Sequence, residues 1–123
     1  MKAKLYTLLA SILTILIAYG SLYSGEQNVL KHVLISDKVI HAFSYLILTL
    51  SWLIVFNEKL KNKTQVLLLA IVIVTYGIIL EVFQEILTNV RTAEFGDVIA
   101  NSVGVLIAVL IFTIFQKKRM LIK

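Results

Sequence analysis

At 123 residues the chain allows one domain, and that domain is 59% hydrophobic and only 15% charged. A water-soluble fold of this size keeps too much surface in contact with solvent to hide so much apolar material, so the composition excludes an ordinary soluble domain and points to the bilayer. Cysteine is absent, which excludes disulfides, thiolate metal sites and cysteine nucleophiles. Proline is absent too, so no apolar run is broken by a residue without a backbone N–H.

Four apolar segments follow one another. The first, residues 5–23, comes after Lys2 and Lys4; it is long for the apolar core of a cleavable signal and has no A-x-A site behind it, so it reads as a retained helix. The second covers 38–56. The third covers 65–87, purely apolar from Val66 to Val74 and then interrupted by polar residues. The fourth covers 97–115. Each is close to the roughly 20 residues a helix needs to cross a hydrocarbon core. Lipid offers no partner to a backbone amide, so such runs are expected as helices; barrel strands would be shorter and would alternate. The expected fold is all-α: one integral membrane four-helix bundle spanning 1–123.

Charge placement orients the chain. Lys2, Lys4, Lys59, Lys61, Lys63, Lys117, Lys118, Arg119 and Lys123, nine of the twelve basic residues, fall on one side of the four spans. The positive-inside rule makes that side the cytoplasm, with both termini there, in a multi-pass protein of the cell inner membrane. Lys31, Lys38 and Arg91 fall on the outer side. The net charge of +5 is thus accounted for by topology and needs no nucleic acid.

The acidic residues are distributed differently. Glu26 and Glu58 are in connections, but Asp37, Glu81, Glu85, Glu94 and Asp97 gather where the second span begins, the third ends and the fourth begins. With the expected orientation, all three places are at the outer face. At about 100° per residue, Asp37, His41 and Tyr45 share an arc of roughly 80°, and Gly77, Glu81, Gln84 and Thr88 one of about 60°. Asp97, Asn101, Gly104 and Ala108 likewise share about 60°. Each of these helices carries one polar stripe that starts at the same surface and descends into the outer leaflet, where such groups must face the bundle interior or water. Gly77 and Gly104 also suit close helix packing. Asp37 and Asp97 also suit helix caps, Tyr45 an interfacial anchor, and Glu85 and Glu94 simple solvation. Glu81 and His41 fit such structural roles least, because a deep ionisable group must be paired, protonated or used.

In order, the polar set reads Asp37-Lys38-x-x-His41-x-x-x-Tyr45, Gly77-x-x-x-Glu81-x-x-Gln84, Arg91, then Asp97-x-x-x-Asn101-x-x-Gly104. This resembles the VanZ-like family of small bacterial membrane proteins over roughly residues 21–110, including Ser21-Leu22. No one piece is specific; the order and spacing of all four carry the likeness. At Thr88-Asn89 the sequence departs from it, since many relatives have a proline before the arginine. The resemblance implies a link to teicoplanin, a glycopeptide that targets cell-wall precursors at the outer membrane face.

Three functions are expected in the following order. The first is binding or handling of an anionic, lipid-linked or cell-wall-related ligand at the outer leaflet. Helix N-termini, Lys38, Arg91 and His41 would meet the anion, Glu81 and Asp97 would hold the basic groups, and Gln84 and Asn101 would add neutral hydrogen bonds. The second is a structural or assembly role, in which the polar cluster only fixes the bundle. The third is an enzyme using His41 with Glu81 or Asp97 as acid and base, or Asp37, His41, Glu81 and Asp97 around a divalent metal. No H-E-x-x-H motif or evident nucleophile supports the third, and no cofactor is expected. The expected partners are membrane lipid and a lipid-linked envelope precursor.

Overall fold

The computed structural model describes residues 1–23, 37–87 and 93–122. The connection 24–36, with Glu26 and Lys31, lies outside the described residues, as do Thr88-Asn89 and Arg91. Four helices are present: α1 (Lys2–Leu22), α2 (Asp37–Val55), α3 (Lys63–Leu87) and α4 (Phe95–Ile122). All four are long and apolar enough to cross a membrane. At about 1.5 Å per residue their lengths run from about 29 to 42 Å.

The helices exceed or shift from the expected spans at most of their ends, and two of these differences have evident local reasons. α3 begins at Lys63 rather than 65 because Asn62 caps it: its Oδ1 accepts from Gln65 N at 2.9 Å, while Gln65 Oε1 accepts from Lys61 N at 2.7 Å. α4 continues past 115 through Gln-Lys-Lys-Arg. These residues are good helix formers, and a basic last turn suits the negative end of the helix dipole. Apolar content alone marks where lipid ends, which is not where the helix ends.

The helices alternate in direction. α2 packs most extensively on α4, α3 lies on α4, and α1 closes the ring against α2 and α3. Hence α1 and α3 are parallel to each other, as are α2 and α4, and the two pairs oppose. The basic residues of the α1 start, the α2–α3 connection and the α4 end share one end of the bundle. The polar ends of α2, α3 and α4 share the other.

The core forms two clusters, one around Tyr45, Leu48, Ile73 and Val105 and one around Leu53, Val66 and Phe112. Outside, large apolar side chains such as Leu8, Ile15, Phe43, Val72, Leu106 and Leu110 stand exposed on every helix. Lipid accommodates such a surface and water does not. Hydroxyl groups within the spans satisfy themselves by bonding four residues back, as in Thr49 to Tyr45 O at 2.6 Å and Ser102 to Val98 O at 2.8 Å.

α1 docks by more than apolar contact. Thr14 accepts from Trp52 Nε1 on its Oγ1 at 3.0 Å, and its carbonyl accepts from the Tyr76 hydroxyl at 2.6 Å. Gln84 Nε2 donates to Ser21 O at 2.6 Å. Ala10, fully buried, lets α1 approach. Tyr76→Phe is therefore expected to weaken α1 docking by about 0.6–1.5 kcal/mol. The unfolding midpoint in detergent would fall accordingly; an unchanged midpoint would show that the hydroxyl bond contributes nothing.

Candidate functional site

The site starts from a backbone approach. A Cβ at Gly104 would run into the Ala42 carbonyl oxygen and lie 2.9 Å from the Ala42 carbonyl carbon and 3.0 Å from Leu46 N. Only glycine lets α4 come this close to α2. Because the two helices are parallel, this contact sets the register above it, placing residue 38 beside 97 and residue 41 beside 101.

Lys38 uses that register. Its Nζ donates to Glu94 Oε2 at 2.6 Å and to Asp97 Oδ1 at 2.5 Å. The Asp97 side chain is 8% exposed, Glu94 59% and Lys38 42%, so the ammonium closes over a buried carboxylate from the wet side. Asp97 lies within the first turn of α4 and turns its carboxylate to Lys38 and His41. Glu94, expected to be only solvated, is an ion-pair partner, and Lys38 is engaged by carboxylates of the protein itself.

His41 lies one turn deeper. Its Nδ1 is 3.0 Å from Asn101 Oδ1. An amide oxygen only accepts, so Nδ1 carries the proton and donates. In the neutral ring Nε2 then keeps its lone pair. That nitrogen faces Asp37 Oδ2 at 3.8 Å and Asp97 Oδ2 at 3.7 Å, both beyond hydrogen-bond length. The three ligand atoms, one each from Asp37, His41 and Asp97, lie within 4.8 Å of one another.

Below this trio the polar path continues inward. A Cβ on Gly77 would lie 3.0 Å from Tyr45 Cε1 and 3.1 Å from Asn101 Nδ2, so the bare α3 backbone makes room for the phenol ring and the amide. Tyr45 is 2% exposed and sits in the core, so it is no interfacial anchor. Glu81, 4% exposed with Oε2 buried, is near enough to the Tyr45 hydroxyl to interact with it electrostatically.

The fold thus joins Asp37, Lys38, His41, Asp97 and Asn101 in one cluster. Tyr45, Gly77 and Glu81 extend it toward the centre. Gln84 turns to α1, Gly104 serves the helix crossing, and Glu85 is exposed. Glu81 is not among the three convergent ligand atoms, so the four-residue metal set considered from sequence reduces to Asp37, His41 and Asp97. Both His41 ring nitrogens face groups other than Glu81. Sequence reading placed Glu94 among the gathered acids without a partner and missed Thr14, Trp52 and Tyr76. The spacing of Glu94 to Asp97, one helical turn, was the available signal for Glu94; the others needed the packing.

No family model and no solved structure matches the chain. An uncharacterised protein of Schizosaccharomyces pombe, C11E3.10, is 35% identical to it over 100 residues, covering 81% of this chain and 60% of that protein. The chain therefore spans about 60% of the length of this curated relative.

Proposed function

We propose that this is a VanZ-like membrane protein of the cell envelope that binds the headgroup of an anionic, lipid-linked component at the outer leaflet of the cytoplasmic membrane. One observation carries the reading: two parallel helices, α2 and α4, begin side by side and turn Lys38, His41, Asp97 and Asn101 into one cluster at that end. Two adjacent helix N-termini contribute partial positive charge and N–H donors toward a headgroup. The basic residues at the opposite end support a cytoplasmic location for both termini. Teicoplanin tolerance would then be a consequence of handling such lipids.

Native mass spectrometry of the detergent-purified chain with a polyprenyl diphosphate and with a neutral lipid tests this. The diphosphate should be retained selectively, and Asn101→Ala, which releases His41 from the partner that orients its ring, should lower its retention about tenfold or more. In cells, the same variant should remove any teicoplanin tolerance that the wild type confers. Equal retention of both lipids by the wild type would defeat the proposal. If Asn101→Ala instead abolishes folding, the cluster serves the bundle itself, as the structural alternative holds.

A further inference from the structure

The charge of the cluster does not suit an anion by itself. Among the described residues, Asp37, Glu94 and Asp97 bring three carboxylates to one lysine ammonium, and that ammonium is already shared between Glu94 and Asp97. A phosphate placed among these described side chains would meet more carboxylate than ammonium charge. Something positive is needed at the point where the carboxylates and the imidazole converge.

We infer that Asp37, His41 and Asp97 form a site for one divalent cation of the zinc class, and that this cation is what meets the lipid phosphate. The first half stands on the ligand geometry alone; the second rests on the headgroup reading above. The donor set is mixed, two carboxylate oxygens and one imidazole nitrogen drawn from two helices, which is chemistry for zinc or a neighbouring first-row metal rather than for calcium or magnesium. The spacing suits it as well. Two ligands about 2.1 Å from one ion stand about 3.4 Å apart at a tetrahedral angle and about 3.6 Å apart at 120°. His41 Nε2 lies 3.7 Å from Asp97 Oδ2 and 3.8 Å from Asp37 Oδ2, a few tenths of an ångström wider, and the three ligand atoms lie within 4.8 Å of one another, so the two carboxylates would draw together on an ion.

The surroundings do what a metal ligand requires of its neighbours. Asn101 Oδ1 accepts from His41 Nδ1 at 3.0 Å, which fixes the tautomer and aims the Nε2 lone pair at the two carboxylates. Lys38 bonds Asp97 through Oδ1 at 2.5 Å, leaving Oδ2 turned toward His41. Asp37 is 49% exposed, so the ion would be reached from the end of the bundle. Three protein ligands leave a fourth position open there, the arrangement by which zinc takes an exogenous oxygen. A phosphate oxygen would fill that position while the rest of the headgroup lies over the N-termini of α2 and α4.

The test uses the full chain in detergent, stripped with EDTA and titrated with zinc by calorimetry, with metal content measured after desalting. One zinc per chain is expected, with the melting temperature raised by roughly several degrees at saturation. His41→Gln and Asp97→Asn should each lower zinc affinity about a hundredfold or more. Asn101→Ala should lower it about 10- to 100-fold, and Glu94→Gln should change it by less than about threefold. Because Asp97→Asn also removes a partner of Lys38, the wild type carries an independent readout. X-ray absorption at the zinc edge should show only nitrogen and oxygen neighbours at about 2.0–2.2 Å, with an imidazole signature. A folded wild type that retains no zinc, or a folded His41→Gln that binds zinc as the wild type does, overturns the site. Polyprenyl diphosphate retention with EDTA and with zinc then separates the two halves. Retention that requires zinc supports both. Zinc binding with retention indifferent to it overturns the bridging role and leaves the metal site standing. Retention without any zinc binding overturns the metal site and leaves the headgroup reading intact.

Discussion

Gly104→Ala is expected to destabilise the bundle by about 3 kcal/mol, although alanine is the better helix former. Two effects oppose each other at this position. Alanine in place of glycine favours an isolated helix by about 1 kcal/mol. The added methyl, however, meets the Ala42 carbonyl group and Leu46 N, which are backbone atoms that cannot rotate away. Overpacking commonly costs about 1–3 kcal/mol, and a backbone obstacle places the cost at the upper end of that range or beyond. Relief requires α4 to move off α2, which pulls Asp97 from Lys38 and Asn101 from His41. Stability and the site should therefore fail together. Gly20 supplies the control, since nothing lies within 4 Å of a Cβ there; Gly20→Ala should be neutral or stabilising. Unfolding of both variants in a detergent titration, followed by Trp52 fluorescence, decides the matter. Equal stability of the two variants would mean that the α2–α4 crossing is wider than the structure places it.

The second large effect is expected at Lys38. Lys38→Met leaves the Asp97 carboxylate, 8% exposed, without its nearest cation. Breaking a fully buried pair costs about 3–5 kcal/mol, whereas an exposed pair is worth under about 1 kcal/mol. Lys38 is 42% exposed, so solvent screens part of the interaction and about 1–3 kcal/mol is expected. The penalty comes from the stranded charge rather than from the lost lysine, so removing that charge should relieve it. Lys38→Met with Asp97→Asn should recover at least half of the loss. Glu94→Gln should cost less than about 0.5 kcal/mol, because Glu94 is 59% exposed and water replaces its bond. A double-mutant cycle on the unfolding free energies measures the coupling. Additive effects of the Lys38 and Asp97 changes would show that the pair carries no energy of its own.

The two predictions separate what the polar cluster needs from what it does. Gly104 is a requirement of approach, and Lys38 a requirement of neutrality. Gly104 acts on the site through the helix crossing and Lys38 through the other oxygen of the Asp97 carboxylate, while changes at His41 act on a ligand atom itself.

How much of this was legible beforehand follows from which forces act locally. The number of spans, their helical form and the alternation of their directions depend on runs of apolar residues and on backbone hydrogen bonds that each helix makes with itself. Those are properties of contiguous sequence, and the sequence by itself determined them. It also determined that Asp37 and His41 share one face of α2, and Asp97 and Asn101 one face of α4, because a helix repeats every 3.6 residues. Helical periodicity says nothing about which helix lies beside which. That α2 lies closest to α4 was decided by a crossing at one glycine, between residues far apart in the chain. Tertiary structure alone brought Glu94 into the cluster, left Glu81 deeper beside Tyr45, and gave α1 its polar clasp on Thr14. Only that packing turned the polar stripes of α2 and α4 into a trio of converging ligand atoms, because a contact between helices depends on rotation and register, and those are settled when side chains from both helices must fit at once.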